Sequence, residues 1–424
     1  MDEERRGQLF NEELMREIRS KFCRIDTDFD GSRRLFFENA GGSLRLRSAY
    51  QIGDELDEYP DCFMRQHKAA VNLNRYVLQG REDFMTLIGA KSGAIATALT
   101  ASAVMFKIAE PIVEHGRGTN IVTTVMEHPT GIDSFRYYGE KYRKEVRIAP
   151  ANRRTGGVDT EGLLSLVDKN TAAINVIAAS NMTGAMTDLQ TIVTEARKIN
   201  PDIYIITDAV QHAPHGPIDV EEIPVDAVNI ATYKFFGTRG FGVAWVSDRV
   251  KTLPHARVLD QWTDMWELGS TVPAQWASLT EIVNYVAWIG MHFTDVNDRR
   301  AQVLEGMKRI HLQEQALLYR LLYGADDNSG LLSMDGVETF FDYSDLKNRD
   351  LILGIHFDNM NCKDAVAEYG KRGIIVYDRE AAHYYSKQVG EFNTDGMVRI
   401  SPLHCNTVEE IDEFLSVTRK LTEL

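Results

Sequence analysis

The chain has 424 residues, is 44% hydrophobic and 26% charged, and carries a formal net charge of −15. That length suits two or three domains with a large core, in the composition of a globular protein. An acidic chain with no basic block argues against nucleic acid or an anionic membrane as partner. The N-terminus, MDEERRGQLFNEELMREI, is charged and helix-like and lacks the apolar core of a signal peptide. No later run is long and apolar enough to span a bilayer, so a cytoplasmic location is expected. Residues 1–34 read as a helical arm closed by the turn DTDFDGSRR.

LFFENAGGS then reads as a short strand entering a Gly-rich loop, and from about residue 80 to 290 strand and helix patterns alternate. GAIATALTASAVMFKIAEPIV contains a helix, NIVTTVME a strand, TEGLLSLVD a helix, AAINVIAAS a strand and TDLQTIVTEARKI a helix. IYIITDA, VDAVNIAT and GVAWVS are further strands, and TEIVNYVAWIGMHF is a long helix. The strands are apolar throughout instead of alternating, as expected when helices cover both sheet faces. The fold class is α/β with a mostly parallel sheet over residues 35–292. From residue 293 the texture changes to strands VETFFDY, LILGIHF and GIIVYD alternating with helices CKDAVAEYGKRG and TVEEIDEFLSVTRKL, a smaller α+β domain over 293–424.

Two residues carry the strongest chemical signal. Asp208 ends the apolar run IYIITD, and Lys234 follows the strand-like VDAVNIAT, 26 residues later. A lysine amine forms the Schiff base with pyridoxal phosphate, and an acid at a neighbouring strand end pairs with its pyridinium nitrogen. Ligands of open α/β sheets lie at the carboxyl ends of strands. Also at such ends are Thr100-Ala101-Ser102 before a helix, suited to a phosphate, Glu127-His128, whose imidazole could stack on a flat ring, Asn181, and Gln211. GTRGFG (237–242) reads GxxGxG and precedes a strand, so it fails the context of a dinucleotide loop and reads as a hairpin. His212 and His215 flank a proline and read as part of a turn, not a metal site. Cys23, Cys62, Cys362 and Cys405 are scattered, without a CxxC pair, which argues against disulfides and a zinc knuckle.

From FFENAGGS to MVRISPLHCNTVEEID the chain resembles fold-type I pyridoxal phosphate enzymes of aminotransferase class V, in the cysteine desulfurase-like branch. The resemblance implies that Lys234 bonds the cofactor, Asp208 pairs with the ring nitrogen and His128 stacks on the ring. It places Asn181 and Gln211 at the phenolic oxygen, and Ser102 with Ala103 at the phosphate. Asn39, Ala40 and Gly41 would line the substrate side, and Arg399 would clamp a substrate carboxylate. WELGST, with Glu267, Gly269 and Ser270, matches a loop that reaches the phosphate of a partner subunit, implying a homodimer.

The departures from that pattern bear on the reaction. Ala231 stands where a serine is usual three residues before the lysine, so that either Thr232 takes over the phosphate contact or the contact is lost. Tyr233 replaces a histidine. The loop REAAHYYSKQ, with His383, Tyr384 and Tyr385, lacks the cysteine that accepts sulfur in desulfurases, which disfavours a persulfide mechanism. The expected activity is a C–S β-elimination lyase acting on an amino acid. A class V aminotransferase comes next, then an amino-acid epimerase, and a non-catalytic scaffold is the reading of a different class.

Overall fold

Seven apolar runs assemble into one sheet: β1 (Ala94–Ala98), β2 (Asn120–Thr124), β3 (Glu145–Ala149), β4 (Thr171–Ile177), β5 (Tyr204–Asp208), β6 (Ala227–Ala231) and β7 (Gly242–Val246). The computed structural model describes residues 6–60, 62–325 and 328–424, so the first five residues of the expected N-terminal arm lie outside the described residues. Across the sheet the order is β1-β7-β6-β5-β4-β2-β3. Strands β3, β2, β4, β5 and β6 pair in parallel, and β7 runs antiparallel to both its neighbours. The expected mostly parallel α/β sheet is therefore the one found.

The reason lies in the side chains. β2, β4, β6 and β7 are buried along their whole length, and successive residues point to opposite faces. Ile174, Val176 and Val228 enter one core beside helices α2 (Lys68–Ile88) and α5 (Pro273–Met291). Ala173, Ile206 and Ala227 enter the other, against α3 (Ala101–His115) and α4 (Pro129–Lys141). Burying each Ile or Val side chain contributes about 1.5–3 kcal/mol. Strands β1 and β3 were not anticipated. AIATA is Ala- and Thr-rich and merges with the helix behind it, whereas EVRIA is an edge strand with only partial burial.

The C-terminal sheet is antiparallel, ordered β8 (Val337–Glu338), β9 (Leu353–Phe357), β11 (Gly396–Ile400) and β10 (Tyr377–Glu380). Helix α7 (Cys362–Gly370) and helix α8 (Val408–Thr422) pack on it. The long α6 (Arg299–Tyr323) joins the two parts. Val303, Met307 and Ile310 sit in the large core, and Leu317, Leu318, Leu321 and Leu322 in the small one. The N-terminal helix α1 (Glu12–Ser20) is capped by Asn11. Leu35–Phe36 pairs in parallel with Ile374–Ile375, so Leu35 and Phe37 lie in the C-terminal core and deliver the next loop to the site. Among the described residues no helix is long and apolar enough to cross a membrane.

Candidate active site

The carboxyl edge of the large sheet carries the groups that the sequence singles out. Asp208 is the last residue of β5, and Lys234 closes the 3-10 turn after β6. His128 follows β2, Asn181 follows β4, and Thr100–Ser102 opens α3 after β1. Together with Gln211, Ala40 and Gly41 these residues line a cavity of about 510 Å³. Gly242, where β7 starts, permits this layout. A Cβ there would lie 2.3 Å from the Thr100 carbonyl carbon.

Lys234 is buried, and its Nζ donates to Gln211 Oε1 at 3.3 Å. Burial, aided by the charge of Arg399 and opposed by Asp208, pushes its pKa down to about 7. Asp208 Oδ1 accepts the Val210 N–H at 3.0 Å. Burial lifts its pKa to about 6, against the pull of that N–H and of Lys234. His128 caps α4, ahead of Pro129, and its Nδ1 accepts the Thr130 N–H at 3.3 Å. Burial first, then Lys234 and Arg379, push it down to about 4, so the imidazole is neutral. The Tyr385 ring lies 5.8 Å from it, tilted by 31°.

Glu127 does not face the cavity. Its Oε1 accepts the Ile177 N–H at 2.8 Å and the Thr124 hydroxyl at 3.0 Å, and its Oε2 accepts Asn175 Nδ2 at 3.2 Å. It thereby ties the ends of β2 and β4 beneath His128. Burial raises its pKa to about 8.

Other expected residues stand differently. Ala103 gives its N–H to the Thr100 hydroxyl at 3.1 Å and is not part of the cavity wall. The Thr232 hydroxyl faces the Thr238 and Phe241 carbonyls, both at 3.1 Å, and serves the hairpin instead of the cavity. Asn39 is a brace: its Nδ2 donates to Ser401 O at 2.9 Å, and its Oδ1 accepts the Leu44 N–H at 3.0 Å. Arg399 is fully buried behind the wall, donating to the Asn181 carbonyl at 2.9 Å and to Glu38 Oε1 at 2.5 Å. Gly41 makes room for that pair, since a Cβ there would sit 2.3 Å from Glu38 Oε1. Ser270 lies exposed on a loop that Glu267 pins to Arg81 and Thr97, away from the cavity of its own chain.

Among the wall residues that sequence reasoning missed are Glu38, Asn229, Tyr377, Arg379 and Arg239. The strand β10 runs through Glu380, two residues beyond the end of GIIVYD, and carries Tyr377 and Arg379 on one face. Reading REAAHYYSKQ as loop hid that period. The Arg239 guanidinium lies 4.0 Å over the Tyr233 ring, with both residues at the wall.

An amine of lowered pKa, a carboxylate and a neutral imidazole thus meet at strand ends. The model of the aminotransferase class-V family matches residues 36–414. The chain belongs to that family. The family is pyridoxal phosphate-dependent, and this member is an enzyme. A probable cysteine desulfurase of Borreliella burgdorferi is 24% identical to it, over 97% of each chain. An aminotransferase-like protein of Gibberella zeae is 23% identical, over 94% of this chain and 96% of its own. The apo structure of a cysteine desulfurase from Thermococcus onnurineus superposes with a TM-score of 0.81 at 19% identity, covering 98% of this chain and 99% of the other. That likeness shows the fold.

Proposed function

We propose that this chain holds pyridoxal phosphate in the Lys234 cavity and eliminates a sulfur-linked β-substituent from a cysteine-type amino acid. The observation that carries this reading is the convergence of Lys234, Asp208 and His128 on one cavity. The residues present fit the cofactor. The cavity has the volume of a cofactor site. The Asn181 and Asn229 amide oxygens at its wall are buried without partners. A cationic ring nitrogen would hold Asp208 ionised against its burial.

When bound, pyridoxal phosphate bonds an amine covalently and its ring draws electrons from the substrate's Cα. Lys234 is the amine that would hold the cofactor, and its neutral form, with a pKa near 7, would serve as the base for the substrate's Cα proton. Asp208 would hold the proton of the ring nitrogen, and neutral His128 would pack on the ring. Asn181 and Gln211 would hold the phenolic oxygen through their amide N–H groups. Ser102, with the free N–H groups of the first turn of α3, receives the phosphate. Arg399 takes the α-carboxylate by exchanging Glu38 for it, in the two-point pairing that a guanidinium favours. Asn39 sets the loop that carries Ala40 and Gly41.

Direct elimination needs no sulfur-accepting cysteine. None of the four cysteines lines the cavity, and all four are unpaired, in keeping with a reducing compartment such as the cytoplasm. The chain works as a homodimer, with the Ser270 loop reaching the partner's site. Support comes from apolar side chains exposed on that loop: Leu259 is 77% and Trp262 78% exposed.

The test is product balance with S-substituted cysteines and no keto-acid acceptor. Ammonia and a keto acid released over many turnovers per site support elimination. One keto acid per site, with the cofactor left in its amine form, would make the enzyme a transaminase.

A further inference from the structure

Two guanidinium groups stand on neighbouring strands beside Lys234, and they are differently served. Arg399 on β11 is engaged by Glu38 and the Asn181 carbonyl. Arg379 on β10 lines the cavity, and its side chain meets no carboxylate among the described residues. Its Nε is buried without a hydrogen-bond partner, and its contact is the Tyr377 ring at 4.9 Å. A ring face replaces little of the hydration that a guanidinium loses on burial.

Arg379 enters the cavity from the C-terminal sheet, whereas Thr100–Ser102 enters it from the large sheet. The Arg379 charge acts on Lys234, His128 and Arg399's neighbour Glu38, and the Thr100–Ser102 end of the cavity has its own donors. Burial, then Arg399, pushes the Arg379 pKa down to about 10, against the weaker pull of Glu38, Tyr377 and Asp378, none of which forms an ion pair with it. The reading above gives Arg399 to the α-carboxylate, so Arg379 remains for another anion on the amino-acid side.

We propose that Arg379 receives a second anionic group, carried on the substrate's side chain, so that the preferred sulfur substituent is acidic, as in an S-carboxyalkyl cysteine. This rests on the proposed amino-acid site. Tyr377 and Tyr385 offer their rings to the thioether methylenes between the two charges. Arg379 is thus a specificity residue.

The test compares S-carboxymethyl-L-cysteine with its neutral amide, S-carbamoylmethyl-L-cysteine, which differ in one charge and little in shape. Binding to the holoprotein is read from the visible absorbance of the cofactor, and kcat/KM from ammonia release. The wild type is expected to bind the acid about 10–100-fold more tightly than the amide. Arg379→Gln removes that preference while leaving affinity for the amide within a few-fold, and Arg379→Lys retains part of it. A wild type that does not distinguish the two compounds overturns the inference, whatever becomes of the variants. An equal loss for both in Arg379→Gln also overturns it, and assigns Arg379 to the α-carboxylate. Because the ratio is read from binding, a protein that binds both without releasing ammonia loses the lyase reading alone. A protein without a cofactor band loses both.

Discussion

Gln211 stands between two buried polar clusters that have solved the same problem in opposite ways. Behind it, His215 Nδ1 meets Glu314 Oε2 at 2.7 Å, His212 Nδ1 meets Asp350 at 3.1 Å, and His404 Nε2 meets the Tyr285 hydroxyl at 2.6 Å. In front of it, the cavity wall leaves Glu38 Oε2, Asn181 Oδ1, Asn229 Oδ1 and Arg379 Nε without partners. Burial of a polar group costs free energy unless a partner replaces water. Apart from His404 Nδ1, which stands 3.7 Å from Glu314 Oε1, the rear cluster supplies its partners from its own chain, joining the turn after β5 to α6 and to the C-terminal segment. The front cluster awaits them from ligands. Two sets of polar residues with buried atoms therefore differ in purpose, and the extent of pairing tells them apart.

The difference can be broken from either side. Lys234→Ala is expected to have the largest effect: no covalent cofactor and no measurable turnover, with the fold retained by circular dichroism. Glu314→Gln strikes the rear cluster and should cost about 3–5 kcal/mol of stability, read as a lowered denaturation midpoint. Its pH dependence has a definite sign. Burial opposes charge on both partners, yet each overcomes it for the other, so the His215 pKa is raised and that of Glu314 lowered. The Glu314 contribution is lost as pH falls through its lowered pKa, and that of His215 as pH rises through its raised one. The pair thus stabilises most between about pH 4.5 and 6.5, the two unperturbed values, and the gap between wild type and variant should narrow above that window.

Asp208→Asn leaves the front cluster without its acid and should lower kcat by about 10²–10³-fold, with stability little changed. Smaller again is the pH effect on Lys234. With a pKa near 7, its neutral amine fraction should rise about tenfold per pH unit below that value and level off above it. The rate of cofactor uptake by the apoprotein measures this fraction, and a rate that still climbs toward pH 10 would contradict it. The mildest change is Trp262→Glu, expected to shift the protein toward monomer in sedimentation and weaken cofactor retention without unfolding.

The catalytic edge of the fold was legible because strand-end chemistry is local. Asp208 ends the largely apolar run IYIITD, and Lys234 follows the strand-like AVNIA by a single turn, so the sequence marks both strands and their ends. The order of motifs along the chain sufficed to group Ser102, His128, Asn181 and Gln211. What was hidden depends on pairing across the chain. Arg399 reads as a free clamp until Glu38, 361 residues away, is seen to hold it. Arg379 reads as loop because its strand neighbours lie in β11. His215 gives no sign of Glu314, 99 residues on in a different helix. β1 and β3 were missed for a related reason, since an Ala-rich strand and a half-exposed edge strand take their identity from neighbours.

The most direct measurement is reductive trapping. The holoprotein is treated with borohydride, digested, and the modified lysine located by mass spectrometry. A single phosphopyridoxyl mark on the peptide that contains Lys234, absent from Lys234→Ala, is the predicted result. A mark on another lysine, or none in protein supplied with pyridoxal phosphate, would contradict the assignment of the cavity.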